Sequence, residues 1–246
     1  MVALSKIRVL VVDDNHELLE TYEALLSTYG LTVGIARNGA EAWELLQLRE
    51  IDIVLTDIRM PVMDGVELLK RIRQRNSEKP CVLLTSGYSD HPVEDFYALG
   101  ANGFLEKPVG ASSIRDLISR GTLEREDLWK SPAKLAATSK LNVQVQSFGG
   151  LEKSPALKFG SGGFCLYQDR PILSPGVSID FSIGFDSVNS FGPIEGAGIV
   201  QWVRPDGTGE RPAAIGVEIR YLTDACRAPV CQWIRQHQFP SFIPSA

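Results

Sequence analysis

The chain has 246 residues, of which 44% are hydrophobic, and a formal net charge of −5 at pH 7. That is enough for one large or two ordinary domains with buried cores, and the mildly acidic balance argues against nucleic acid as the main partner. No apolar stretch approaches a membrane span, and the short apolar run at the amino terminus meets acids at once with no small-residue cleavage site, so neither membrane insertion nor a signal peptide is expected and the expected location is cytoplasmic.

Lys6 to Val12 is of strand length, and its apolar run Val9 to Val12 ends at Asp13 and Asp14. Asn15 is a candidate cap for a helix reaching about Tyr29, with Leu18, Leu19, Tyr22, Leu25 and Leu26 at helical spacing, and Gly30 ends it. Leu31 to Ala36 is a second strand. Asn38 starts a helix with Ala42, Leu45, Leu46 and Leu48 apolar. Ile51 to Thr56 is a β-branched run that stops at Asp57 and meets the turn residues Pro61 and Asp64-Gly65. A helix follows from Asp64 to about Arg75. Its basic end, Lys70 to Arg75, is expected to be a solvated carboxyl terminus, where cations are favoured.

Cys81 to Thr85 is another apolar run, now ending in a hydroxyl. A helix from about Pro92 to Leu99, closed by Gly100, leads to a strand at Phe104 that ends at Lys107-Pro108. A final helix begins near Ser112, with Ile114, Leu117 and Ile118 as its buried face. Strands alternating with helices predict a doubly wound parallel α/β sheet. Its carboxyl edge would gather Asp13, Asp14, Asp57, Thr85 and Lys107, the edge where open α/β sheets hold their ligands. Carboxylates suit Mg²⁺, and a hydroxyl and an ammonium suit phosphate oxygens.

Asp13-Asp14, Asp57 followed by Met60-Pro61 and Asp64-Gly65, Thr85, and Lys107-Pro108 together resemble the receiver domain of bacterial two-component response regulators, a five-stranded flavodoxin-like fold, over about residues 6 to 126. The resemblance implies that Asp57 is the phosphoacceptor. It implies that Asp13, Asp14, Asp57 and the backbone carbonyl of Arg59 hold Mg²⁺, and that Lys107 pairs with the phosphoryl group. Thr85 is then the switch hydroxyl and Phe104 the switch aromatic. Ser86 is the alternative hydroxyl. Thr85 is preferred because it closes the apolar run and has a small residue after it.

The composition changes after about Asp127, and residues 128–140 read as a linker. From Leu141 to Ala246, short apolar runs alternate with turn residues: Val143 to Val145, Gly163 to Tyr167, Val177 to Phe185, Ala197 to Arg204 and Ala214 to Tyr221. Such strands predict an all-β sandwich or barrel. Thr223 could start a short helix, although Pro229 lies inside it. Ser161-Gly162-Gly163-Phe164-Cys165-Leu166, Gly176 to Phe181, Gly198 to Arg204 and Ala214 to Ile219 resemble PilZ domains, β-barrels known for binding cyclic di-GMP.

The family's ligand motifs are missing. Lys130 to Lys140 contains no Arg where an Arg-x-x-x-Arg belongs, and Lys134 and Lys140 supply only point charges. Lys158 and Gly160 stand where the second motif has an acid or amide and a Ser, and of that motif Gly163 remains. The domain is therefore expected to act as a protein-interaction module, with cyclic di-GMP binding by a non-standard mode as the alternative. His16, His91 and His237 are far apart in sequence and suggest no catalytic set. Cys81, Cys165, Cys226 and Cys231 lack metal-ligand spacing and read as reduced thiols. The expected protein is a phosphoacceptor rather than an enzyme. Its expected partners are a sensor histidine kinase and an unidentified output protein, without nucleic acid; homodimer formation is left open.

Overall fold

A computed structural model describes residues 7–87, 92–130, 137–148, 151, 154–168, 171–186, 192–207, 211–237 and 239–245. Lys6, His91 and Lys134, all named above, lie outside the described residues. The chain divides into two compact units, Met1–Leu123 and Glu124–Ala246.

The first unit alternates β1 (Arg8–Val12), α1 (His16–Thr28), β2 (Thr32–Ala36), α2 (Gly39–Leu48), β3 (Ile53–Asp57), α3 (Gly65–Arg75), β4 (Cys81–Ser86), α4 (Val93–Ala98), β5 (Gly103–Glu106) and α5 (Ala111–Gly121). The strands form one five-stranded parallel sheet in the order β2-β1-β3-β4-β5. Side-chain caps start the first three helices. Asn15 accepts from Glu17 and Leu18, Asn38 from Glu41, and Asp64 from Glu67, each satisfying amides a helix start leaves unpaired. The central strands are buried on both faces, as parallel strands between helices must be. One face packs Leu10, Val54, Val82, Leu84 and Phe96 against Leu68 and Ile72. The other packs Val9, Val11, Leu55 and Leu83 against Leu19, Leu26, Ile114 and Ile118.

The basic end of α3 differs from the solvated face expected of it. Arg73 donates to the carbonyls of Gly100 (2.8 Å) and Pro80 (2.9 Å) and to the Asn102 amide oxygen (2.7 Å). That same oxygen accepts from the Val82 amide at 2.8 Å, so one guanidinium joins α3 to the start of β4 and the α4–β5 turn. Burial lowers the Arg73 pKa to about 10.

The second unit begins earlier than expected. Helix α6 (Arg125–Leu128) and Trp129 belong to it, because Trp129 is fully buried in its core and its carbonyl accepts from Leu222 at 3.0 Å. The expected linker over 128–140 is corrected at both ends, since β6 (Ser139–Val145) also starts inside it. Strands β7 (Leu157–Phe159), β8 (Gly163–Tyr167), β9 (Ser178–Phe185), β10 (Ile194–Arg204) and β11 (Ala214–Leu222) complete a six-stranded sheet ordered β6-β9-β10-β11-β8-β7. Its pairings are antiparallel except β6 with β9.

The expected barrel is corrected to a half-barrel, since β6 and β7 are the two edges of the sheet among the described residues. A helix covers the core instead of further strand pairing. Helix α7 (Asp224–His237) places Cys226, Val230, Cys231, Trp233 and Ile234 in the same core as Phe164, Phe181, Ile215 and Val217. Pro229 withholds one helical N–H, but this burial outweighs the loss and the helix runs to 14 residues. All four cysteines are free and buried.

Candidate functional site

The sheet order places the ends of β1, β3, β4 and β5 side by side, which assembles the site from residues far apart in sequence. Asp57 ends β3 directly opposite Thr85 on β4, and Lys107 follows β5 with its amide bonded to the Ser86 carbonyl at 2.8 Å. The Lys107 ammonium bridges two carboxylates, 2.7 Å from Asp13 and 2.5 Å from Asp57. The second Asp57 oxygen accepts the Arg59 amide at 2.8 Å, and Asp13 accepts the Asn15 amide at 3.0 Å. Asp13 and Asp57 are buried, at 2% and 8% exposure.

The electrostatics are opposed. Burial pushes the Asp57 carboxyl above its ordinary range, and the Asp13 charge adds to this, against the pull of Lys107 and the Arg59 amide. Burial works against charge on Lys107, but its bonds to Asp13 and Asp57 prevail and its pKa is raised. The ammonium form of Lys107 is thereby favoured, within bonding distance of both Asp13 and Asp57.

The strand-to-helix turn after Asp57 is tightly built. A Cβ on Gly65 would stand 2.1 Å from the Asp57 carbonyl oxygen, so no larger residue lets α3 start this close to β3. The Gly65 amide in turn donates to Ile58 at 2.9 Å. Val62, in the same turn, holds φ at 70° although it is β-branched, and it is 84% exposed.

The remaining residues named from sequence fall as follows. Asp14 is exposed beside Asp13, and Arg59 is exposed with its amide turned to Asp57. No group of three or more His, Cys, Asp or Glu side chains is arranged to hold a metal among the described residues; the acids brought together are Asp13 and Asp57, with Lys107 between them. The Thr85 hydroxyl is buried and donates to the Thr56 carbonyl at a long 3.4 Å. Ser86 is buried as well. Phe104 is half-buried and stacks on Phe96 with centroids 5.7 Å apart. Arg73 carries no local signal of its three bonds beyond its place in a basic run.

A doubly wound sheet with an acid–ammonium–acid cluster on its carboxyl edge sets charged groups where such sheets hold their ligands. Residues 9–119 match the family model described as the response regulator receiver domain. The chain is 38% identical over 110 residues to the DNA-binding transcriptional regulator NtrC of Escherichia coli (strain K12), covering 45% of this chain and 24% of that protein. It is 32% identical over 161 residues to the transcriptional regulatory protein DltR of Streptococcus agalactiae, covering 65% of this chain and 70% of DltR. Among solved structures, TrrA of Thermotoga maritima in complex with Mg(2+)-BeF is 26% identical, covering 47% of this chain and 98% of that one, with a TM-score of 0.44.

The chain belongs to the bacterial two-component response regulators, through a receiver domain of a phosphorelay. It spans about a quarter of the length of NtrC. One expectation is overturned by these relatives. The acidic net charge argues against nucleic acid as a partner, yet NtrC is named a DNA-binding regulator and DltR a transcriptional one. Net charge summed over the chain is too coarse to exclude a partner of one part of it. No described helix is long and apolar enough to cross a membrane.

Proposed function

We propose that Asp57 accepts a phosphoryl group from a sensor histidine kinase, and that the second unit carries the output. The observation that carries this reading is the Lys107 ammonium lying between Asp13 and Asp57. One carboxylate oxygen of Asp57 attacks phosphorus, the bond from phosphorus to the donor imidazole nitrogen breaks, and that nitrogen keeps the electron pair. Lys107 favours the ionised form of Asp57 against the effect of burial and afterwards pairs with the new phosphoryl oxygens. The Arg59 amide fixes the other Asp57 oxygen, so the carboxylate is oriented before transfer.

The carboxylates of Asp13, Asp14 and Asp57 and the Arg59 carbonyl are hard oxygen donors that fit Mg²⁺. Bound there, Mg²⁺ supplies neutralisation of the charge that develops in transfer. Thr85, whose present bond is long, turns its hydroxyl toward the phosphoryl group, and Phe104 moves into the space it leaves. Such a switch needs two arrangements separated by a few kcal/mol. Beryllofluoride with Mg²⁺ should perturb the backbone resonances of Thr85, Phe104 and Lys107 in the wild type and leave Asp57→Ala unchanged; equal responses in both would remove Asp57 from the role.

The second unit is read as a PilZ-like domain that signals through protein contact and does not take cyclic di-GMP. Support comes from the missing arginines, and from Lys158, whose ammonium lies 5.9 Å from the Tyr167 ring centroid, where the family has an acid or amide. Calorimetric titration of the full chain with cyclic di-GMP should release no binding heat, and saturable micromolar binding would defeat the idea. A transcriptional output is the second reading, favoured by the likeness to NtrC and DltR. Salt-dependent retention of the phosphorylated chain on DNA would select it.

A further inference from the structure

The face of the second unit's sheet turned away from its core carries a covered row of side chains. The register shift between Val200 and Trp202 turns Trp202 off the core face, where it stands opposite Gly216, and Gly216 in turn stands opposite Cys165. Neither Trp202 nor Cys165 belongs to the core cluster, yet their exposures are 3% and 0%.

The segment Ser241–Ser245 lies where it covers them. At one end, the amides of Ser161 and Gly162 donate to the carbonyls of Ser241 (2.8 Å) and Phe242 (2.9 Å). A Cβ on Gly162 would stand 2.0 Å from the Phe242 ring. At the other end, Arg204 donates to the Ser245 carbonyl at 2.9 Å while its guanidinium lies 5.8 Å from the Trp202 ring centroid. Between these ends Ile243 has 0% exposure, and Pro244 is buried. Gly162 flanks the start of β8, and Arg204 pairs with Ala214, which pairs with Tyr167 at the end of β8. An extended segment from Ser241 to Ser245 spans about 13 Å, the same as β8 itself. It therefore has the reach to pass from the start of β8 toward the end of β10, across the Cys165–Gly216–Trp202 row.

We propose that this face is a groove for an extended peptide, and that Ser241–Ser245 is a releasable strap occupying it in cis. The strap shows the chemistry the groove takes: an aromatic residue, then an aliphatic one, then Pro. Backbone carbonyls meet the Ser161 and Gly162 amides, the ring lies against Gly162, and Arg204 grips a further carbonyl. Main-chain bonds supply affinity and the side-chain seats supply selectivity, as in peptide recognition by extended segments. Two observations favour release. Among the described residues, Ser241–Ser245 adds no strand to the sheet's ladder. The Trp202 indole N–H beneath this face is buried with no acceptor among the described residues, a desolvation cost that opening to water relieves.

Gly162→Ala in the full chain forces the Phe242 ring from its seat. A thiol reagent should then modify Cys165 roughly tenfold faster than in the wild type, with Cys226 and Cys231 still protected inside the core. Cys165 remaining as protected as those two would overturn the proposal. Should all three react together, the fold itself has opened, and amide exchange in the wild type decides. Ser161 and Gly162 exchanging well ahead of β10 and β11 supports a strap; exchange only alongside those strands overturns it. In a chain ended after Pro240, a labelled peptide of sequence Phe-Pro-Ser-Phe-Ile-Pro-Ser should bind saturably and bind the full chain far more weakly. Failure of the shortened, folded chain to bind it would also overturn the proposal.

Discussion

Replacing Lys107 by Met tests the electrostatics of the site without touching the proposed phosphoacceptor. The change leaves two carboxylates, Asp13 and Asp57, buried and facing each other with no cation between them. Removing one partner of a buried ion pair costs about 3–5 kcal/mol. The lower end applies here, since the Lys107 side chain keeps 20% of its exposure and that of Asp57 11%. A loss of about 3 kcal/mol corresponds to a fall in melting temperature on the order of 10 °C for a domain of this size. The loss should depend on pH. Asp57 already has a raised pKa, and without Lys107 it rises further. A carboxyl whose folded pKa lies above its unfolded value costs stability above that folded pKa, and the cost fades as pH falls toward the unfolded value. Asp57→Asn in the Lys107→Met background should recover much of the loss at pH 8. Thermal unfolding of wild type and variants at pH 5 and pH 8, followed by calorimetry, reads the effect. A deficit of equal size at both values would refute the reasoning, because it would mean that packing of the Lys107 stem, not charge, holds the site.

Three further outcomes follow from geometry. Arg73→Met should cost about 3 kcal/mol in urea unfolding through the charged bonds it loses, and Arg73→Lys should restore little, since one ammonium nitrogen cannot occupy the three separate positions from which Nε, Nη1 and Nη2 reach their acceptors. Gly65→Ala opens α3 with a better helix former, worth up to about 1 kcal/mol by propensity. The Cβ clash with the Asp57 carbonyl predicts the opposite sign, with lower stability and slower phosphorylation by a small-molecule donor. Val62→Asn should raise stability by about 1 kcal/mol in thermal unfolding, because Asn accepts a positive φ more readily and the exposed Val62 side chain loses little packing.

What the sequence made legible, and what it hid, follows from the range of the forces involved. Local signals were readable: Asn15, Asn38 and Asp64 announce helix starts, and the runs ending at Asp13, Asp57 and Thr85 announce buried strands. Alternation of strand and helix then orders the sheet and brings Lys107 to Asp57 across 50 residues of sequence. Long-range contacts were hidden. Arg73 reads as one more surface cation until the Gly100 and Pro80 carbonyls meet it. Trp129 sits among linker-like residues, and only its burial in the second core assigns it. Strand β7 is three residues long and offers no periodicity to detect. The length of α7 is decided by its buried face rather than by the Pro inside it. The turn of Trp202 away from the core depends on a register shift in β10 that no local pattern announces.

The most direct measurement is intact-protein mass spectrometry after incubation with acetyl phosphate and Mg²⁺, with peptide mapping of the product. The account predicts the added mass of a single phosphoryl group, located on Asp57, labile to hydroxylamine and absent from Asp57→Asn. The same adduct appearing on the Asp57→Asn chain, or mapping to a residue outside the cluster that Lys107 organises, would contradict it.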